Sequence, residues 1–177
     1  MVEDTVLTVL IHAKKRAKDL GIKTVLVASS TGQTGVRVVE FFEGYRVIVV
    51  THSTGFTKPD TQELTADNRE RILKAGGQIL TTTHAFGGLG RAVRRKTGTY
   101  QTDEIVANTL RIFGQGTKVA VEITLMAADS GLISVKEDVI SIGGTREGAD
   151  TALVVKPANV QDFFDVKIRE IICKPLL

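Results

Sequence analysis

The sequence predicts an α/β fold with a mostly parallel sheet. Short apolar runs of strand length alternate with longer amphipathic stretches, which is the pattern of repeated strand-helix units. Near the C-terminus the connections are too short for a crossover helix, so a strand at 151–156 must either run antiparallel to one at 138–143, which is the arrangement we predict, or leave the sheet. A chain of 177 residues with 42% hydrophobic composition is expected to form a single domain, spanning 1–177, around one core.

The individual elements follow from β-branched runs, amphipathic periodicity and glycine stops. The predicted strands lie at 24–28, 46–51, 78–83, 138–143 and 151–156, with an edge strand at 166–173. The predicted helices lie at 5–20, 65–75, 88–96, 103–113 and 117–131, and a further helix follows the first strand and stops before Gly44. A loop at 52–64 is long for a compact α/β domain, and such loops are often binding loops.

The turn after the first strand is rich in hydroxyl groups and glycine. It consists of Ser29, Ser30, Thr31, Gly32, Gln33 and Thr34. Hydroxyls and the free N–H groups of a helix N-terminus bind anions, and Gly32 lets the backbone approach a ligand closely. We therefore predict a phosphate site at 29–34. In the alternative, structural interpretation, Thr31 or Thr34 caps the helix and Gly32 makes a tight turn.

The turn 29–34 lacks the common nucleotide-binding patterns. It contains no lysine and no GxxxxGK[ST], which argues against a P-loop nucleotide hydrolase, and GxGxxG is absent. Its six residues are similar to the S/T-x-T-G-x-T phosphate loop of flavodoxins, which wraps the phosphate of flavin mononucleotide (FMN). This similarity makes FMN the first candidate ligand.

Two further strands end in a shared pattern of residue types. The predicted strands 46–51 and 78–83 both end in threonine followed by histidine, and phenylalanine and glycine come shortly afterwards. Two histidines at one sheet edge could form a metal pair, but no carboxylate or thiol is placed to complete three or four ligands. We therefore expect His52 and His84 to form hydrogen bonds to a ligand, and we predict no metal site.

Glu122 is the exception in an apolar stretch at 117–131 that is predicted to form a buried helix. Burying a carboxylate is costly unless it is paired. Glu122 either emerges at the edge of the helix or meets a partner at the site, and the sequence favours the edge.

Composition excludes several functional classes. The 23 Lys+Arg and 20 Asp+Glu are interspersed, and a solvated helix face or electrostatic steering of phosphate explains the basic run 91–96 better than nucleic-acid binding does. A single cysteine, Cys173, excludes an internal disulfide and fits a reducing cytosol. The first residues are acidic, unlike a signal peptide, and no apolar run approaches the roughly 18 residues of a membrane span. We predict a cytoplasmic protein that binds neither nucleic acid nor membrane.

The chain resembles the C-terminal α/β domain of pyruvate kinase, and more closely a family of stand-alone proteins built from that domain. Residues 25–35, 47–51 and 140–145 carry the resemblance, which covers nearly the whole chain. It implies a three-layer α/β/α sandwich with strand order 3-2-1-4-5, in which strand five is antiparallel. In pyruvate kinase the turn corresponding to 29–34 binds the phosphate of a sugar-phosphate effector. The catalytic barrel is absent here, so kinase activity is not implied.

This strand order predicts where a ligand binds. In open α/β sheets the crevice lies where the strand order reverses, which here is between strands one and four. The turn 29–34 and the loop 143–148 should therefore face each other, with Arg146 available for phosphate charge. In this arrangement Phe56 and Phe86 are the expected walls of a flavin slot.

Two functional hypotheses follow. In the first, the protein binds a phosphorylated small molecule, with FMN as the cofactor and flavin redox activity. In the second, it is a non-catalytic regulatory or sensor domain that binds a sugar phosphate or nucleotide and signals through contacts in a homo-oligomer. The reaction and any catalytic residues are not assigned, since no defensible Ser-His-Asp spacing is present. The candidate cofactor-binding residues are Ser29, Ser30, Thr31, Gly32, Gln33, Thr34, Thr51, His52, Thr54, Gly55, Phe56, Thr83, His84, Phe86, Gly87, Gly143, Gly144, Thr145 and Arg146.

Overall fold

The computed structural model describes residues 2–145 and 148–177. The helices are α1 (Val2–Leu20), α2 (Gln33–Phe41), α3 (Ala66–Lys74), α4 (Leu89–Thr97), α5 (Thr102–Arg111) and α6 (Gln115–Asp129). The strands are β1 (Thr24–Ala28), β2 (Arg46–Val50), β3 (Gln78–Leu80), β4 (Val139–Gly143), β5 (Thr151–Lys156) and β6 (Lys167–Cys173). A short 3₁₀ helix, Val160–Asp165, connects the last two strands.

The strands form one six-stranded sheet in the order β3-β2-β1-β4-β5-β6. β1 pairs in parallel with both β2 and β4, β2 pairs in parallel with β3, and β5 runs antiparallel to β4 and β6. The predicted order, the antiparallel fifth strand and the C-terminal edge strand are confirmed. The reversal of strand order lies between β1 and β4, because β2 and β3 follow β1 on one side of the sheet and the chain then crosses to the other side, where β4 pairs with β1.

Helices cover both faces of the sheet, and each face has its own hydrophobic core. Alternate residues of β1 show the division: Val25 and Val27 pack on the side of α1 and α2, while Leu26 packs on the side of α6. All of these side chains are completely buried. This arrangement is the expected three-layer sandwich, and it explains why the parallel strands are continuous apolar runs rather than alternating ones.

The third strand is shorter than predicted. β3 ends at Leu80, so Thr83 and His84 belong to the connection that leads to α4. Thr51 also lies just beyond its strand, where its N–H donates to the Leu80 carbonyl and its hydroxyl lies 2.7 Å from that of Thr81. The irregular connection gives His84 room to turn back toward the sheet. Within the described residues, no helix is long and apolar enough to cross a membrane.

Candidate functional site

A cavity of about 570 Å³ opens at the carboxyl ends of β1 and β2, where Ala28 and Val50 form part of its wall. The turn 29–34 lies on one side of it, and α6 contributes side chains on the other side. Gly144, Thr145 and Gly148 also line it. The turn after β1 and the loop after β4 therefore share this cavity, at the point where the strand order reverses.

The turn 29–34 divides its residues between the fold and the cavity. Ser29 is buried, and its hydroxyl accepts a hydrogen bond of 3.1 Å from the N–H of Gly35 in the first turn of α2. Ser29 also belongs to the lining of the cavity, together with Ser30, Thr31, Gln33 and Thr34. Helix geometry leaves the first backbone N–H groups of α2 without intrahelical acceptors. Ser29 is thus the hydroxyl that satisfies a helix amide, whereas the alternative, structural interpretation of the turn gave this role to Thr31 or Thr34.

Gly32 packs tightly against Leu64 and against Asn68 of α3. It precedes α2 with a φ of 92°, in the left-handed region that favours glycine. A Cβ atom there would lie 2.5 Å from Leu64 Cδ1 and 2.7 Å from Asn68 Cβ. Asn68 Nδ2 also donates to the Thr31 carbonyl at 3.0 Å. The start of α3 therefore holds this turn in place.

His52, Phe56 and His84 form an aromatic cluster at the rim of the cavity. The Phe56 ring stacks on His52 at a centroid distance of 4.0 Å and lies 4.8 Å from the ring of His84. His52 Nδ1 lies 2.7 Å from Glu63 Oε2, so the two ends of the loop 52–64 are joined. The Ser53 N–H donates to His84 Nε2 at 3.4 Å. These contacts connect the loop to the segment that follows β3.

The structure places several predicted residues away from the cavity. Its lining does not include Gly32, Thr54, Gly55, Thr83, Phe86, Gly87 and Gly143. Phe86 is buried and packs edge-on against Phe163 with centroids 5.9 Å apart, so it is not the second wall of a flat slot. Gly143 packs under α6, where a Cβ atom would overlap the backbone of Gly116. Arg146 lies outside the described residues.

Lys118 and Glu122 form a buried ion pair in the wall of the cavity, one helical turn apart on α6. Their side chains are 6% and 4% exposed, and Lys118 Nζ lies 2.5 Å from Glu122 Oε2. The same oxygen lies 3.7 Å from His84 Nδ1, and Oε1 accepts a hydrogen bond from the Phe86 N–H at 3.1 Å. The expectation that Glu122 emerges at the helix edge was wrong, because partners at the site offset the cost of burying it.

Burial and charge shift the pKa values of this pair. Burial alone would raise the pKa of Glu122, but His84 and Lys118 outweigh it through hydrogen bonds and positive charge, and the pKa falls to about 2. Burial lowers the pKa of Lys118, Glu122 opposes this effect, and the positive charges of Arg111 and Arg91 lower it further. Glu122 is therefore a carboxylate at neutral pH, and Lys118 gives up its proton more readily than an exposed lysine.

Two arginines add positive charge to the lining. The Arg91 guanidinium lies 4.9 Å from the centre of the Phe56 ring. Arg111 bonds to two neutral amides, those of Asn108 and Gln115, at 2.6 and 2.7 Å. Across the described residues, neither arginine forms an ion pair with a carboxylate. The cavity consequently has an excess of positive charge, which favours an anionic ligand.

Sequence reasoning missed Lys118 and Arg111, and it offered phosphate steering for the basic run 91–96 without placing Arg91 at the site. The spacing of Lys118 and Glu122 by four residues in an apolar helix was the available signal, since it places both groups on one face. The two arginines lie in ordinary amphipathic helices, and only the packing of α5 against α6 and of α4 against α5 places them at the cavity. No group of three or more His, Cys, Asp or Glu that could hold a metal ion occurs in the described part of the chain.

Comparison with known proteins identifies the family. The model of the pyruvate kinase α/β domain matches residues 8–155, so this chain belongs to that family. Two solved structures of pyruvate kinase from Cryptosporidium parvum, one of them in complex with ADP, align with a TM-score of 0.43 each. They are 14% and 15% identical to this chain, cover 85% of it, and are themselves covered over 22% and 23% of their lengths. The chain thus spans less than a quarter of those kinases.

Proposed function

We propose that this protein binds a phosphorylated small molecule, with its phosphate at the turn 29–34. The observation that carries the proposal is the position of this turn. It lies at the start of α2, and five of its six residues line a cavity that also contains Arg91 and Arg111. Backbone N–H groups at a helix N-terminus, hydroxyls and a positive cavity together favour a dianionic phosphate. In pyruvate kinase, which this chain resembles, the corresponding turn holds an effector phosphate.

FMN is the first candidate ligand. A cavity of about 570 Å³ is within the range of roughly 300–1,000 Å³ that is usual for small-molecule sites. The hydroxyls of Ser30 and Thr34 fit the phosphate, and the stacked rings of His52 and Phe56 provide one aromatic face for the flavin. Bound flavin would supply redox chemistry, which this chain's residues would tune through contacts with the ring.

A sugar phosphate is the second candidate, and the lining beyond the turn favours it. Phe86 is withdrawn into the core, so the cavity has one aromatic face rather than two. Lys118, Glu122 and Gln115 offer hydrogen-bonding groups that suit hydroxyls better than a flat apolar ring. With such a ligand the protein would act as a regulatory or sensor domain that signals through contacts between copies of the chain.

The test for FMN is a fluorescence titration with FMN and, separately, with riboflavin, which lacks the phosphate. We expect FMN to bind at least ten-fold more tightly, because hydrogen bonds to a charged group contribute about 1.5–3 kcal/mol each. Thr34→Val should remove most of this difference. Thr54→Val is the matched control, since Thr54 is exposed and outside the cavity. Equal binding of FMN and riboflavin by the folded protein would exclude the phosphate contact.

The sugar-phosphate alternative has its own titration. Glucose 6-phosphate and glucose are compared by calorimetry, again with Thr34→Val and Thr54→Val. Tighter binding of the phosphorylated sugar, lost in Thr34→Val alone, would favour this alternative. If FMN, glucose 6-phosphate and inorganic phosphate all fail to bind the folded protein, the proposed function is wrong.

We also propose a cytoplasmic location. The support is the lone Cys173 at the end of β6, whose free thiol is half-buried and suits a reducing compartment. Burial raises the pKa of this thiol, which keeps it protonated and unreactive. Fractionation of the native host cells would test the location.

A further inference from the structure

Lys118 has the features of a reactive amine. It is 5% exposed, it lies in the first turn of a helix that is buried along nearly its whole length, and it nevertheless lines the cavity. A lysine placed there for packing alone would cost free energy that an apolar residue does not. The cost is partly offset by Glu122, yet the ammonium group remains next to the space that a ligand would fill.

The surroundings of Lys118 favour its neutral form more than those of an exposed lysine do. Burial lowers its pKa, and the positive charges of Arg111 and Arg91 act in the same direction. A desolvated lysine close to other cations is the usual arrangement of an amine that attacks carbonyl carbon. The lysines on the exposed surface of α1, such as Lys15, lack these surroundings.

We propose that Lys118 forms a Schiff base with the carbonyl carbon of a phosphorylated aldehyde or ketone whose phosphate is held at the turn 29–34. The inference rests on the proposed phosphate site, and it narrows the sugar-phosphate class to molecules with an open carbonyl group. The geometry that carries it is one cavity with the anion site on α2 and the buried amine on α6.

The reaction balances without an oxidant or reductant. The neutral amine nitrogen bonds to the carbonyl carbon, the oxygen takes a proton to become a hydroxyl, and that hydroxyl leaves as water after a second protonation. The nitrogen lone pair then forms the carbon–nitrogen double bond. Starting from the ammonium form, the sum is one protonated imine and one water, with no net change in charge.

Glu122 fits the role of counterion to the product. The protonated imine keeps one N–H and its positive charge, so it can retain the contact that the ammonium group makes with Glu122 Oε2. The low pKa of Glu122 keeps this group ionised throughout. The buried charge is therefore compensated both before and after the reaction, and the fold does not need to rearrange.

The test is reductive trapping with glyceraldehyde 3-phosphate and cyanoborohydride, followed by peptide mass spectrometry. We expect modification of Lys118 at least ten-fold faster than of any other lysine. Lys118→Arg keeps the charge and should abolish the fast phase, whereas Lys15→Arg should leave it unchanged. Glyceraldehyde without phosphate should react at Lys118 at least ten-fold more slowly, and inorganic phosphate should protect Lys118 in the unaltered protein.

Protection of Lys118 by inorganic phosphate is measured in the unaltered protein, so this part of the test does not require any variant to fold. Labelling of Lys118 at the rate of surface lysines, in protein that binds phosphate by calorimetry, would overturn this inference and leave the proposed function standing. Fast labelling of Lys118 that is indifferent to phosphate would overturn the substrate class named here. Failure of every phosphorylated ligand to bind would instead count against the proposed function itself.

Discussion

Helices α2 and α6 both begin beside the cavity, on opposite faces of β1, and present different chemistry to it. The turn before α2 offers hydroxyls and backbone N–H groups and contains no charged side chain. The start of α6 carries the ion pair of Lys118 and Glu122, which is almost completely buried. Replacing a neutral hydrogen-bonding group on the turn should change the free energy of unfolding little. Removing one member of a buried ion pair should destabilise the whole fold.

The largest expected effect is the loss of Glu122. Glu122→Leu should lower the free energy of unfolding by about 3–5 kcal/mol, because it leaves the Lys118 charge buried without its carboxylate partner. Urea denaturation measures the effect. The matched control is Glu70→Leu, since Glu70 and Lys74 form an exposed pair of the same spacing at 3.6 Å.

The control variant should change the stability by at most about 0.5 kcal/mol. Replacing both members of the buried pair, in Lys118→Met with Glu122→Leu, should recover at least half of the loss, because no uncompensated charge remains. Equal and small effects of Glu122→Leu and Glu70→Leu would show that the pair on α6 is as solvated as the pair on α3.

The second prediction is that the stability of the protein depends on pH through Glu122 on α6 and not through the turn before α2. The pKa of Glu122 falls from its ordinary value of 4.5 to about 2 in the folded protein. A depressed carboxyl pKa contributes stability that is complete above pH 4.5 and is lost as the pH falls toward 2. The loss should be of the order of 3 kcal/mol, since each pKa unit corresponds to about 1.4 kcal/mol.

Urea midpoints measured from pH 7 down to pH 2 test this dependence. Glu122→Gln should show a flatter curve than the unaltered protein, and Thr34→Val should show the same curve as the unaltered protein. A parallel curve for Glu122→Gln would mean that other carboxyl groups account for the loss of stability in acid.

Of the two helix starts, the sequence predicted the one at α2 better, because its residues are consecutive in the chain. The strand β1, the turn 29–34 and the start of α2 are consecutive, so the sequence predicted this strand, turn and helix from local residue types, and the anion site at the turn stays a prediction. The strand order was also predictable, because connection lengths and the family resemblance leave few topologies. The environment of Glu122 was not, since its partners His84 and Phe86 lie 38 and 36 residues away in the sequence.

Phe86 was predicted to lie at the site, but a contact with a residue distant in the sequence buries it. Its position after a strand, beside His84, predicted a wall of the site, but the short β3 lets the following segment turn and bury the ring against Phe163. No pattern in the sequence signals this contact, because Phe163 belongs to the 3₁₀ helix near the C-terminus. Side chains at strand ends are located by loop geometry, which residue spacing alone does not determine.

The third prediction concerns how the turn before α2 is held. Gly32→Ala should destabilise the fold through its left-handed φ and through overlap of the new Cβ with Leu64 and Asn68. Gly55→Ala is the matched control, with a φ of 82° and open space around the Cβ position. In both variants the strained backbone conformation should lower the free energy of unfolding by about 1–2 kcal/mol. In Gly32→Ala the overlap of the new Cβ should lower it by about 1–3 kcal/mol more. Equal losses in thermal or urea denaturation would contradict the packing role.

The smallest expected effect separates two hydroxyls of the same turn. Ser29→Ala removes the acceptor of the buried Gly35 N–H and should lower the stability by about 1 kcal/mol. Thr34→Val should change it by less than about 0.5 kcal/mol, because Thr34 faces the cavity. The affinity for phosphate should show the reverse order. Thr34→Val should weaken it about ten-fold, whereas Ser29→Ala should change it little, because the Ser29 hydroxyl already accepts a hydrogen bond from the helix. Urea midpoints and calorimetric titration with inorganic phosphate on the same samples test both halves. If Thr34→Val lowers stability as much as Ser29→Ala and leaves phosphate affinity unchanged, the turn is a helix cap and the anion site must lie elsewhere in the cavity.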